Sequence, residues 1–174
     1  TTSQPALDNQ VVALVHDLKS IFPNTTPQVK DTTLIYKISP YQSIDIFINT
    51  KGEFSHLFVN QSGEQAENIA KSELLSTCKT ISKQISLDLP DAIDQMEQTV
   101  NEYSNEGISA KTAISQPSYN LMLDFSRYRV ASCLISKVPV TTIVKNYKEP
   151  IKPTKVTEKQ AQDFGKKLYL KIVD

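Results

Sequence analysis

The sequence predicts an α+β fold, with antiparallel sheet packed against helices in the order α-βββ-α-α-βββ(β)-α. Three observations carry the prediction. Apolar residues recur at helical spacing in four segments and alternate with period two in six or seven shorter ones. The strand-like segments follow one another through turns too short for a parallel crossover. The 174-residue chain fits one globular domain over 1–174, large enough to bury a core without a metal or disulfide staple.

The first helix is expected from about Pro5 to Phe22, after a short N-terminal lead over 1–4. Ser3 is the candidate N-cap, and proline is tolerated in a first helical turn. Val11, Leu14, Val15, Leu18 and Phe22 make its apolar face, and Pro23-Asn24 ends it. Three strands follow. Thr33 to Ser39 is β-rich and stops at Pro40. Ser43 to Asn49 alternates, with Ile44, Ile46 and Ile48 on one side. Phe54 to Val59 returns after Thr50-Lys51-Gly52, where Gly52 is free to take positive φ.

Ser62 and Gln65 have capping-box spacing, so the second helix is expected to start near Gly63. Leu74, Cys78, Ile81 and Ile85 line its inner face. Pro90 opens a third helix to about Ser104, with Ile93, Met96, Val100 and Tyr103 buried. Strands are then expected over Ile108–Ile114, Tyr119–Phe125 and Tyr128–Ser136, with a bend near Ser126. Val138 to Val144 reads as a further edge strand, because Pro139 cannot donate to a ladder. A proline-containing connector over 148–156 leads to a last helix with Ala161, Phe164, Leu168 and Ile172 on its core face. The repeated element order suggests two similar halves, 5–86 and 90–173. No residue-level repeat supports that division, and one continuous sheet is the alternative.

Charge excludes one class of partner. With 19 basic and 19 acidic residues the net charge is zero, and nucleic-acid binding needs a basic field. The densest basic run, Lys145, Lys148, Lys152, Lys155 and Lys159, is broken by Glu149 and Glu158. No apolar run approaches a membrane span. Ser, Thr, Asn and Gln make up about 30% of the chain, which leans towards a periplasmic or secreted bacterial protein. The Thr1-Thr2-Ser3-Gln4 start suits a tether after a cleaved signal or a lipid anchor. A trimmed start explains it as well, and leaves the cytoplasm as the alternative. Cys78 and Cys133 fit an oxidising compartment if bonded; the other reading is two separate buried thiols.

The chain has no phosphate-binding glycine loop, no GxSxG and no metal-ligand spacing, so no cofactor and no metal is expected. Asp88, Asp91, Asp94 and Glu97 recur every three residues, as a solvated helix face would. His16 and His56 are the two histidines. His16 reads as a structural or surface residue. His56, between Phe54 and Phe58 on one expected strand face, is a ligand-pocket candidate with them. The most distinctive segment runs from Asp124 to Arg129 and holds the chain's two arginines, Arg127 and Arg129. Arginine forks and tyrosine are enriched where interfaces concentrate their energy. Asp124, Arg127, Tyr128 and Arg129 are therefore the partner-binding candidates, against a plain structural ion pair.

The leading functional expectation is a non-enzymatic exported binding protein with a protein partner, of inhibitor, immunity or envelope-assembly type. A carrier of a small apolar ligand is the second, its pocket lined by Phe54, Phe58, Leu121, Leu123 and Phe125. A hydrolase built on two carboxylates brought together in space is the third.

Overall fold

The computed structural model describes residues 7–63, 67–105, 111–127, 130–145 and 147. The elements are α1 (Asn9–Ile21), β1 (Gln28–Lys30), β2 (Thr33–Ser39), β3 (Gln42–Ile48), β4 (Phe54–Ser62), α2 (Glu67–Ile85), α3 (Leu89–Asn105), β5 (Lys111–Ser115), β6 (Asn120–Arg127), β7 (Val130–Ser136) and α4 (Val140–Ile143). The strands form one seven-stranded sheet in the order β1-β2-β3-β4-β7-β6-β5. Every neighbouring pair is antiparallel. The two expected groups of strands are thus two meanders, joined edge to edge where β4 pairs with β7.

One face of this sheet is the core. The register sets Tyr36, Ile44, Val59, Cys133 and Leu123 in one row across the strands, and Leu34, Ile46, Leu57, Ile135 and Leu121 in the next. Alternation puts these rows on a common side. Against them lie Val11, Leu14 and Leu18 of α1, Leu74, Cys78 and Ile81 of α2, and Ile93, Met96 and Val100 of α3. α2 packs over β4 and β7, and α3 over β5 and β6. Each of these side chains was set inward by helical or strand spacing. Tyr36 is an exception in chemistry: its hydroxyl is buried without a hydrogen-bond partner among the described residues, and burial raises its pKa.

Four boundaries differ from the sequence expectation, each for a local reason. α1 starts at Asn9, because Asp8 caps it: the carboxylate accepts from the backbone N–H groups of Gln10 (2.6 Å) and Val11 (3.1 Å). Asp8 also donates its own N–H to the carbonyl of Gly52 at 2.9 Å. Gly52 therefore supplies both a φ of 80° for the β3–β4 turn and close backbone approach for the helix start.

β4 runs on to Ser62, past its expected end at Val59, and the Ser62 N–H donates to the Tyr41 carbonyl at 2.7 Å; Gln65, the other half of the expected capping box, lies outside the described residues. β1 was not foreseen. It carries three exposed residues, and it is returned to β2 by Asp31 at φ 55°, a left-handed position that aspartate tolerates. Finally, the segment from Val138 to Val144 is not an edge strand. Pro139 precedes a short helix, α4, which turns Val140 down onto Met122 and Leu134. The expected last helix, the 148–156 connector and Tyr103's side chain lie outside the described residues.

Candidate functional site

The second face of the sheet is the side that α1, α2 and α3 do not pack on. Its central row is Ile35, Asp45, Phe58, Leu134, Met122 and Ala113, by strand register. The flanking row on one side is Thr33, Phe47, His56, Ser136, Asn120 and Ser115. On the other it is Lys37, Ser43, Asn60, Ser132, Asp124 and Lys111. α4 covers one corner, where Val140, Ile143, Val144 and Tyr147 gather with Met122, Leu134 and Phe58.

Three rings form a cluster next to that corner. Phe47 and His56 stack with centroids 4.3 Å apart and planes 10° from parallel. Phe58 meets both edge-on, at 6.2 Å from Phe47 and 5.9 Å from His56. All three rings are half-buried. Burial lowers the His56 pKa, and its Nδ1 lies 2.9 Å from the Ser55 hydroxyl. A stacked, largely neutral imidazole beside two phenyl rings is an adhesive apolar patch with one polar edge.

The grouping of Phe54 with His56 and Phe58 does not survive. Phe47 pairs with His56 while Ile48 pairs with Phe54, so one extra residue is inserted between the two pairs. A bulge of this kind reverses the side on which the next side chain falls. Phe54 points to the helices and is 2% exposed, inside the main core. Leu121, Leu123 and Phe125 lie in that same core, on the opposite side of the sheet from Phe58. The five residues named as pocket walls for an apolar carrier therefore line no common cavity.

A polar chain runs beside the rings. Asn60 donates from Nδ2 to the Asp45 carboxylate at 3.1 Å, and Ser132 donates to the Asn60 carbonyl oxygen at 2.8 Å. Burial raises the Asp45 pKa, with the Asn60 hydrogen bond pulling the other way. Ser132 pairs in register with Asp124, so this ribbon leads from the ring cluster to the β6–β7 end of the sheet. There Asp124 accepts from the Ser126 N–H at 2.9 Å and from the Ser126 hydroxyl. The ladder shifts register between Asp124 and Arg127, where the bend was expected. Arg127 ends β6; its side chain, and Tyr128 and Arg129 altogether, lie outside the described residues.

Cys78 of α2 and Cys133 of β7 are joined as a disulfide, with both residues fully buried. His16 is exposed on α1, its ring nitrogen 3.8 Å from Asp17. Of the acidic series, Asp88 lies in the turn before α3 and accepts from the Ser86 hydroxyl, while Asp91, Asp94 and Glu97 are on the helix; Lys79 of α2 bridges Asp94 and Glu97, and that pairing, led by Asp94, raises the lysine pKa. Among the described residues no three His, Cys, Asp or Glu side chains converge as a metal site, and no helix is long and apolar enough to cross a membrane.

Sequence reasoning passed over a second polar feature. Gln42 and Gln61 pair in register on the core side of β3 and β4. Gln42 donates to Gln61 at 2.8 Å and accepts from Thr77 at 3.0 Å, while Gln61 donates to the Glu73 carboxylate at 3.2 Å. The signal was available: Gln42 is in phase with Ile44 and Ile46, and Gln61 with Val59 and Leu57.

No protein-family model, curated protein or solved structure matches this chain.

Proposed function

We propose that the protein is a non-enzymatic binding protein of an oxidising, extracytoplasmic compartment, and that it holds a protein partner on the second face of its sheet. The partner reading rests on the Phe47–His56–Phe58 cluster. Stacked rings on the sheet face that α1, α2 and α3 do not pack on supply rigid contact area at low entropic cost. The half-buried Asp45 and Asn60 beside it offer polar groups already held in place, as an interface rim requires. The polar ribbon they belong to leads to Asp124 on β6, and Arg127 and Arg129, which follow it closely in the sequence, are taken as the second part of the contact. The buried Cys78–Cys133 pair supports the compartment reading, since such bonds persist where glutathione does not reduce them. A neutral chain suits a protein partner better than a nucleic acid. An inhibitor, an immunity protein or an envelope-assembly subunit would each fit this description.

The arginine end is tested by the double variant Arg127→Ala with Arg129→Ala. It is expected to weaken capture of the partner at least tenfold while leaving the unfolding midpoint unchanged. Unchanged capture removes the arginines from the interface and confines it to the rings.

A further inference from the structure

We propose that the crevice between the β2–β3 turn and α2 binds a neutral, polyhydroxylated ligand, namely a saccharide unit. The crevice has a volume of about 410 Å³ and is lined by Ser39, Gln42, Ser72, Glu73, Ser76 and Thr77. That size lies within the range of small-ligand sites, about 300–1,000 Å³. It is separate from the second sheet face, because Gln42 points to the helix side.

The lining decides the chemistry. It contains four hydroxyls, one carboxamide and one carboxylate, and no apolar side chain. Polar side chains throughout the lining favour a ligand with many hydrogen-bonding groups over a wholly apolar one. Glu73 opposes an anion, and a single carboxylate among hydroxyls favours a neutral ligand over a divalent cation. Hydroxyl groups both donate and accept, so a hydroxyl-rich wall matches a hydroxyl-rich ligand group for group.

The floor is fixed in advance. Gln42 is 8% exposed and Gln61 2%. Between them they are tied to Thr77, to the Glu73 carboxylate and to each other. This holds one oxygen of Glu73, and the other has no hydrogen bond among the described residues. Ser72 and Ser76 are one helical turn apart on the same face of α2. Thr80 and Thr99 return their hydroxyls to the carbonyl four residues back. Ser72 and Ser76 have no such bond among the described residues, so their hydroxyls are unspent.

The test is an NMR titration of ¹⁵N-labelled full-length protein with glucose, N-acetylglucosamine, maltose and cellobiose in turn, and with putrescine as the cationic control. At least one sugar is expected to give saturable shifts in the Gln42 and Gln61 side-chain amides and in the backbone amides of Ser72 to Thr77. Ser72→Ala and Ser76→Ala should each weaken that binding roughly two- to tenfold. Ser76→Leu, at an exposed helix position, should abolish it without moving the unfolding midpoint. No response to any of the four sugars overturns the proposal. A response to putrescine alone reassigns the crevice to a cation, and shifts that persist in Ser76→Leu place the sugar elsewhere.

Discussion

His56 shows how one side chain carries both the patch and a pH dependence. Its ring is stacked on Phe47 and partly desolvated, so the neutral form is favoured and the folded-state pKa falls below the ordinary 6.5. Between the folded value and 6.5 the unfolded chain binds more protons. Stability from this group is therefore present above 6.5 and is lost as pH falls through the folded value. Asp45 has the opposite sign. Burial raises its pKa, so its contribution is complete below the ordinary 3.8 and is lost as pH rises through the folded value. The two contributions run in opposite directions with pH, so the histidine's part is isolated by comparing the protein with a variant at that position. Urea midpoints measured from about pH 7 down to about pH 5 should fall, and His56→Gln should flatten that slope. An identical slope in the variant would assign it to other groups.

At the scale of elements, the bulge in β4 is the feature that decides which rings are core and which are surface. Strict alternation over Phe54, His56 and Phe58 puts all three on one side, and the inserted residue sends Phe54 to the other. The energetic consequence is direct. Phe54→Ala should cost about 3–5 kcal/mol, the range for a buried phenylalanine. Phe47→Ala, half-buried on the second face, should cost about 1–2 kcal/mol, since it removes less area from the protein interior. Chemical denaturation of both variants checks the ordering; equal costs would contradict the placement of the bulge.

This element also marks what the sequence could and could not disclose. The inner faces of α1, α2 and α3 were legible because three and four residue spacings survive without knowledge of the partner surface. The β3–β4 hairpin was legible from Gly52 and the isoleucine alternation. A bulge leaves no trace in periodicity, so the false grouping around His56 followed from a sound rule. β1 was missed because its three residues are all exposed and show no pattern. The Val138–Val144 segment was read as strand because Val140, Ile143 and Val144 are β-formers, yet packing onto Met122 and Leu134 selects a helical turn. The candidate site was half legible: His56, Phe58 and Asp124 were named, while Phe47, Asp45 and Asn60 needed strand register to join them.

For the whole molecule, the disulfide is the bond that ties distant parts of the chain together. It links a helix after the first meander to the last strand of the second, across 55 residues. Closing a loop of that length limits the unfolded ensemble by about 4 kcal/mol on the chain-entropy model. The double variant Cys78→Ala with Cys133→Ala should lose stability of that order, read as a lower urea midpoint. Protein isolated from its native compartment should also resist thiol alkylation until it is unfolded and reduced. Alkylation on unfolding without reductant would contradict the bonded state, and with it the argument for export.

The claim that matters most is that this sheet's second face is a protein-binding surface. It is tested most directly by quantitative affinity capture from native extract, comparing the tagged wild-type protein with the double variant Phe47→Ala, His56→Ala, both shown to be folded. The account predicts one stoichiometric protein partner on the wild type and its loss, by at least tenfold, on the variant. No partner on either protein, or one retained equally by both, would contradict it.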